Sequence, residues 1–200
     1  MRLPRVYPIV DSAGWVRRLA PLGVRLVQLR IKDAPEPLLR EEMRAAHAYC
    51  RAAGAQLIIN DHWRLALEAG SDFVHLGQAD LDGADVAALR RAGVRLGIST
   101  HDEAELERAL SLAPDYVALG PIYPTLLKVM PWRPQGLERI GVWKRRIGAL
   151  PLVAIGGLTP ERLPGVFAAG ADVAAVVTDI LRAAEPETRA RQWLATAAAT

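Results

Sequence analysis

Residues 73–100 read FVHLGQADLDGADVAALRRAGVRLGIST. A short apolar run, Phe73–Leu76, gives way to Gln78 and Asp80. A stretch of helical periodicity, Asp82–Ala92, stops at Gly93, and a second run, Arg95–Ile98, ends in Ser99 and Thr100. Run, helix, run is the signature of a βαβ unit, in which both strands point the same way and shed their polar residues at the same end. On either side the cadence recurs, at Val6–Val10, Val24–Leu29, Leu57–Ile59, Tyr116–Leu119, Leu152–Ile155 and Val173–Val177. The helical stretches Leu38–Ala53, Trp63–Ala69 and Asp102–Leu112 fill intervals between them, and Gly54, Gly70, Gly93 and Gly170 mark returns to the sheet. Eight such units predict an α/β fold closed into a (β/α)8 TIM barrel. The residues after the runs, among them Gln28, Arg30, Lys32, Asn60, Asp61, Gln78, Asp80, Ser99, Gly156, Gly157 and Thr178, then converge on one mouth.

The chain has 200 residues, lean for a barrel whose typical length is about 250, so one domain over 1–200 is expected. Lys and Arg number 25 against 22 Asp and Glu, a near balance that argues against nucleic acid as a partner. The densest basic cluster, Lys144-Arg145-Arg146, falls in a predicted helix near Trp143 and reads as a solvated face. Cys50 is the single cysteine, which excludes an intramolecular disulfide and suits helix packing. The N-terminus enters a strand at once, and no apolar stretch approaches the ~20 residues that span a bilayer. A cytoplasmic protein acting on small molecules, without a membrane partner, is expected. A homo-oligomer is compatible, with Glu187–Ala199 serving as the last helix or as a subunit contact.

Gln28, Arg30 and Lys32 alternate, so in a strand they share one face. Two cations turned toward the helix layer would be badly desolvated, whereas at the mouth they can hold phosphate oxygens, Arg as a planar fork and Lys as a compact charge. Alternatively Lys32 has already left the strand, and both cations pair with Asp33 or Glu36. Asp61 and Asp80 follow the third and fourth runs. If those strands end level, the carboxylates approach and form a hard oxygen site suited to Mg2+, which takes one or two carboxylates and completes its shell with water and phosphate. Either aspartate alone also reads as a helix cap. Gly156-Gly157 and Thr178 fall after the seventh and eighth runs, where this fold commonly builds a phosphate site from backbone N–H groups; a tight turn also explains the glycine pair.

Gly120–Gly136 carries four prolines in seventeen residues and is too long for an ordinary connection. It reads as a lid in which Tyr123, Met130 and Trp132 close over a ligand while Lys128 and Arg133 reach its charge, or as a packed surface loop. His75, inside a strand, reads as a hydrogen-bonded interior residue, and His47 lies on a helix. His62 and His101 stand near strand ends. No zinc-ligand spacing, Gly-x-Ser-x-Gly elbow or Gly-x-Gly-x-x-Gly fingerprint is present.

Taken in order, Val27-Gln-Leu-Arg-Ile-Lys32, Ile59-Asn-Asp61, Val74-His-Leu-Gly-Gln-Ala-Asp80, Leu96-Gly-Ile-Ser-Thr-His101, Gly120-Pro-Ile-Tyr-Pro-Thr125 and Val153-Ala-Ile-Gly-Gly157 resemble the thiamine-phosphate synthase family. The resemblance implies a (β/α)8 transferase that joins hydroxymethylpyrimidine diphosphate to hydroxyethylthiazole phosphate, releasing pyrophosphate. Carried over by position, it implies that Gln28, Arg30, Lys32 and Asn60 bind the pyrimidine diphosphate and that Asp61 and Asp80 hold Mg2+. Ser99 and Lys128 would approach the diphosphate, acting on it with Arg30 and Lys32. Gly157 and the Val177-Thr178 backbone would take the thiazole phosphate, with Thr125 among the substrate contacts of the long loop. Where the family commonly has Thr-x-Thr-Lys, this chain has Thr125-Leu126-Leu127-Lys128, so Leu127 replaces one hydroxyl. Thr178 stands where serine is common and keeps the hydroxyl. A thiazole tautomerase on the same barrel is the nearest alternative, but a proton shift gives no role to Arg30, Lys32, Asp61 and Asp80. A non-catalytic sensor of phosphate ligands is the other.

Overall fold

The computed structural model describes residues 3–125 and 133–200. Eight strands, β1 (Val6–Val10), β2 (Leu26–Leu29), β3 (Gln56–Asn60), β4 (Phe73–Leu76), β5 (Arg95–Thr100), β6 (Tyr116–Leu119), β7 (Leu152–Ile155) and β8 (Val173–Val176), pair in parallel and in sequence order. The barrel closes where β8 meets β1, with Val6 opposite Ala174 and Pro8 opposite Val176. The helices on its outside are α1 (Ala13–Leu19), α2 (Glu36–Ala53), α3 (Trp63–Glu68), α4 (Val86–Arg91), α5 (Glu103–Ser111), α6 (Gly136–Ile147), α7 (Leu163–Ala168), α8 (Thr178–Leu181) and α9 (Pro186–Ala199).

Because side chains alternate along a strand, each strand feeds two cores. Val27, Leu29, Leu57, Ile59, Val74, Leu96, Ile98 and Val117 pack outward with the helices, joined by Trp143 of α6 and Trp193 of α9. Tyr7, Ile9, Leu26, Ile58, Phe73, Tyr116, Val153 and Val173 fill the barrel interior. The same alternation turns Gln28, Asn60 and His75 inward among the few buried polar side chains.

The bounds of β2, β3, β8 and α2 shift by one or two residues from the sequence reading, and two further differences have structural consequences. Strand β5 runs two residues further, since Ser99 and Thr100 continue the ladder with Ala118 and Leu119, and the Thr100 hydroxyl donates to the Ala118 carbonyl at 2.9 Å. The helix expected over Asp82–Ala92 is divided into a 3-10 turn, Asp80–Gly83, and α4, whose N-terminus is capped by Asp85 accepting from the Ala88 N–H at 2.7 Å. Cys50 lies buried on the inner side of α2, as helix packing requires. Among the described residues, no helix is long and apolar enough to cross a membrane.

Candidate active site

The C-terminal ends of β3 and β4 end level: Asn60 lies opposite His75, and the Asp61 N–H donates to the His75 carbonyl at 3.0 Å. That register places the Asp61 carboxyl beside that of Asp80, within the electrostatic reach of Arg30 and Lys32. Burial first, and then the neighbouring Asp80 carboxylate, push the Asp61 carboxyl above its ordinary range, while the two cations pull it back. Asp61 has a φ of 60°, a left-handed conformation that aspartate tolerates better than most residues. Its side chain does not cap α3, whose N-cap is His62 with no side-chain cap bond. Asp80 opens its 3-10 turn, and Oδ2 accepts the Gly77 N–H at 3.1 Å, so it serves its own loop while meeting Asp61.

Arg30 and Lys32 lie beyond the last residue of β2, exposed at the mouth, with the Arg30 N–H held by the Val10 carbonyl at 2.7 Å. Lys32 has thus left the strand. The alternative pairing with Asp33 or Glu36 does not form, because among the described residues Glu36 pairs with Arg40 and neither Arg30 nor Lys32 makes an ion pair. Gln28 and Asn60 are 2% and 5% exposed, inside the barrel just below these charges.

Gly156 and Gly157 follow β7 with φ of 100° and 65°. A Cβ at 156 would lie 2.6 Å from Pro121 Cβ, and one at 157 would lie 2.5 Å from the Pro124 carbonyl oxygen. The pair therefore lets the start of the long loop rest directly on the β7 end, where Ile122 and Tyr123 donate to Ile155 and Gly156 at 2.9 and 3.0 Å. Thr125, half-buried, lies at the edge of this described part. Lys128, Leu127, Met130 and Trp132 lie outside the described residues. Val177 is the N-cap of α8, so the Thr178 backbone opens that helix beside the mouth.

The residues that sequence reasoning did not join are inside the barrel. Gln28 Nε2 donates to the Tyr7 hydroxyl at 2.7 Å, the Tyr7 and Tyr116 hydroxyls lie 2.9 Å apart, His75 Nδ1 is 2.7 Å from the Tyr116 hydroxyl, and His75 Nε2 is 2.8 Å from Ser99 Oγ. Burial raises both phenols well above their usual range, so both stay protonated. Burial, with Arg30 second, lowers the His75 imidazole to about 3, so it is neutral at physiological pH. Gln78 Nε2 donates to the Ser99 carbonyl at 2.7 Å, holding Ser99 from the outside as well. The signal in the sequence was the two tyrosines on inward strand positions, since a buried phenol hydroxyl needs a partner. His62 and His101 are engaged locally, His62 with the Ile31 carbonyl at 2.9 Å and His101 with Glu105 at 2.7 Å.

Comparison with known proteins agrees with this architecture. The family model described as thiamine monophosphate synthase matches residues 6–180. The thiamine-phosphate synthase of Rhizobium etli is 67% identical over 198 residues, covering 99% of this chain and 97% of that protein. That of Klebsiella pneumoniae is 46% identical over 194 residues, covering 97% and 92%. A solved thiamine phosphate pyrophosphorylase from Pyrococcus furiosus superposes with a TM-score of 0.87 over 98% of this chain and 96% of its own; at 24% identity it speaks for the fold. The chain belongs to the thiamine monophosphate synthase family and is a transferase.

Proposed function

We propose that this enzyme condenses hydroxymethylpyrimidine diphosphate with hydroxyethylthiazole phosphate, giving thiamine phosphate and pyrophosphate, in the cytoplasm and with Mg2+. The observation that carries the reading is the meeting of the Asp61 and Asp80 carboxyls in the field of Arg30 and Lys32. Two partly buried carboxyls facing each other form a poor site for two negative charges and a good one for a hard divalent cation completed by water and phosphate. Asp61 and Asp80 would hold Mg2+, which when bound supplies positive charge to the departing pyrophosphate.

The chain's own residues do the rest. Breaking the bond between the pyrimidine methylene carbon and the diphosphate oxygen puts negative charge on the leaving group and positive charge on the pyrimidine. Arg30 and Lys32, exposed at the mouth without ion-pair partners among the described residues, are available to the leaving oxygens, and Ser99 and Lys128 would add to them. Gln28 and Asn60 would orient the pyrimidine from below. The thiazole nitrogen attacks with its own lone pair, so no protein base is needed, and alignment of two bound reactants can itself lower the barrier by up to about 7–11 kcal/mol. Gly157 and the backbone at Val177-Thr178 would seat the thiazole phosphate, with Thr125 nearby.

Purified protein given both substrates and Mg2+, assayed for pyrophosphate and thiamine phosphate, tests this directly. Metal-dependent formation of both products is expected. Isomerised thiazole alone would favour a tautomerase, and binding without turnover would favour a sensor.

A further inference from the structure

We propose that Tyr7, Tyr116 and His75 are positioning residues forming a one-way hydrogen-bond chain across the barrel interior, which joins Gln28 to Ser99 and obliges the Ser99 hydroxyl to donate to the bound diphosphate. The identity of that ligand rests on the proposed function; the chain itself rests on geometry.

Proton inventory sets the direction. Gln28 Nε2 has only hydrogens to give, so the Tyr7 oxygen accepts from it at 2.7 Å. Tyr7's own proton then goes to the Tyr116 oxygen, 2.9 Å away. Tyr116, having accepted, gives its proton to His75 Nδ1 at 2.7 Å. Nδ1 is therefore the acceptor, the neutral ring carries its proton on Nε2, and Nε2 donates to Ser99 Oγ at 2.8 Å. The Ser99 proton is not consumed inside the barrel and turns to the mouth. A diphosphate oxygen only accepts, so the chain delivers the polarity that such a ligand requires. Turning the Gln28 amide over would reverse every link, spend the Ser99 proton on His75 and present lone pairs to an anion.

The chain is built into the sheet. His75, Gly97 and Tyr116 are consecutive partners across β4, β5 and β6. A Cβ at Gly97 would lie 2.1 Å from Tyr116 Cζ, so Tyr116 reaches His75 through the space a side chain at 97 would take. The Tyr116 ring then stacks on His75 with centroids 5.5 Å apart and meets Tyr7 and Phe73 edge-on.

The test is nitrogen NMR of protein carrying 15N-labelled histidine, with His75 assigned by its loss in His75→Gln. A pyridine-type Nδ1 and a pyrrole-type Nε2 near neutral pH are expected; the opposite tautomer overturns the proposal. Tyr116→Phe, which keeps the ring and removes the link, should abolish the preference for that tautomer and weaken binding of inorganic pyrophosphate with Mg2+ by about tenfold or more, the scale of one hydrogen bond to a charged group. Tyr7→Phe should weaken the preference as well, because Tyr116 no longer accepts a proton from Tyr7 and is free to accept from Nδ1; an unchanged tautomer in the folded variant would mean that Gln28 does not set the direction and would overturn the one-way chain. Unaltered pyrophosphate affinity in a folded Tyr116→Phe protein would also overturn the proposal. The wild-type spectrum alone decides the direction should a variant fail to fold. A protein with the expected tautomer and pyrophosphate response but no thiamine phosphate formation would refute the proposed function and leave the chain standing; turnover with the reversed tautomer would do the opposite.

Discussion

The ring of Tyr116 lies directly against the backbone of Gly97, where an added methyl would fall 2.1 Å from Cζ and 2.5 Å from the hydroxyl oxygen. The neighbour in the way is a ring pinned by His75, Phe73 and Tyr7, not the end of a flexible side chain. Gly97→Ala should therefore cost about 1–3 kcal/mol as overpacking and lower the melting midpoint by about 2–4 °C for each kcal/mol. It should also reduce turnover more than Leu96→Val, a change of similar thermal cost in the helix-facing layer. Thermal melts and initial rates on the two variants check this.

Asp61→Asn should separate stability from activity. The folded state holds the Asp61 proton more tightly than the unfolded chain, because burial and Asp80 raise its pKa. That contribution is fully present below the ordinary carboxylate pKa and is lost as pH rises through the folded value, so at neutral pH the wild type carries a penalty that asparagine removes. Asparagine also tolerates the left-handed φ of 60°. The expected outcome is a melting midpoint raised by a few degrees at neutral pH, a gain that shrinks on acidification, and turnover reduced by about 10²-fold or more. Mg2+ should raise the midpoint of the wild type and have little effect on the variant. Equal loss of activity and stability would return Asp61 to a structural role.

His75 gives the opposite pH dependence. Its pKa is lowered by burial, and next by Arg30, to about 3, below the ordinary 6.5, so the folded protein resists a proton that the unfolded chain accepts. The stability this represents is present above pH 6.5 and is lost as pH falls toward 3, by up to about 1.4 kcal/mol per pH unit. Urea unfolding across that range should show a flatter acid limb in His75→Gln than in the wild type, whatever the variant's absolute stability. Parallel limbs would mean that His75 does not titrate against folding.

Short-range rules account for the elements that were legible in the sequence. Strands at β1, β4, β6 and β7 have the bounds of their apolar runs because alternation and burial act on adjacent residues. Asp61 and Asp80 could be placed together because consecutive parallel strands in a barrel end side by side, and the Asn60–His75 register fulfils that condition. The interior chain was not legible for the same reason. Tyr7 and Tyr116 are 109 residues apart on strands that are not neighbours, and their meeting depends on barrel closure and on the space above Gly97. The division of the helix after β4 was hidden too, since Asp80 and Asp82 look like first-turn acids of one helix until the cap at Asp85 restarts it.

Gly157→Ala probes the junction between the long loop and the end of β7. The substitution places a Cβ 2.5 Å from the Pro124 carbonyl oxygen and 2.8 Å from Tyr123 Cβ, at a φ of 65° that alanine disfavours. The cheapest relief is to lift Tyr123 and Pro124, which would also disturb Arg162, whose guanidinium lies 4.3 Å above the Tyr123 ring and donates to the Gly157 carbonyl. Because Gly157 belongs to the proposed thiazole-phosphate seat, while Asp61, Asp80, Arg30 and Lys32 belong to the other end of the mouth, the effect should be lopsided. The KM for thiazole phosphate should rise by about tenfold or more, the scale of one lost charge-assisted hydrogen bond, with the KM for pyrimidine diphosphate nearly unchanged. Steady-state kinetics with each substrate varied in turn would show it; an equal rise in both constants would mean that the glycine serves the loop and not the phosphate.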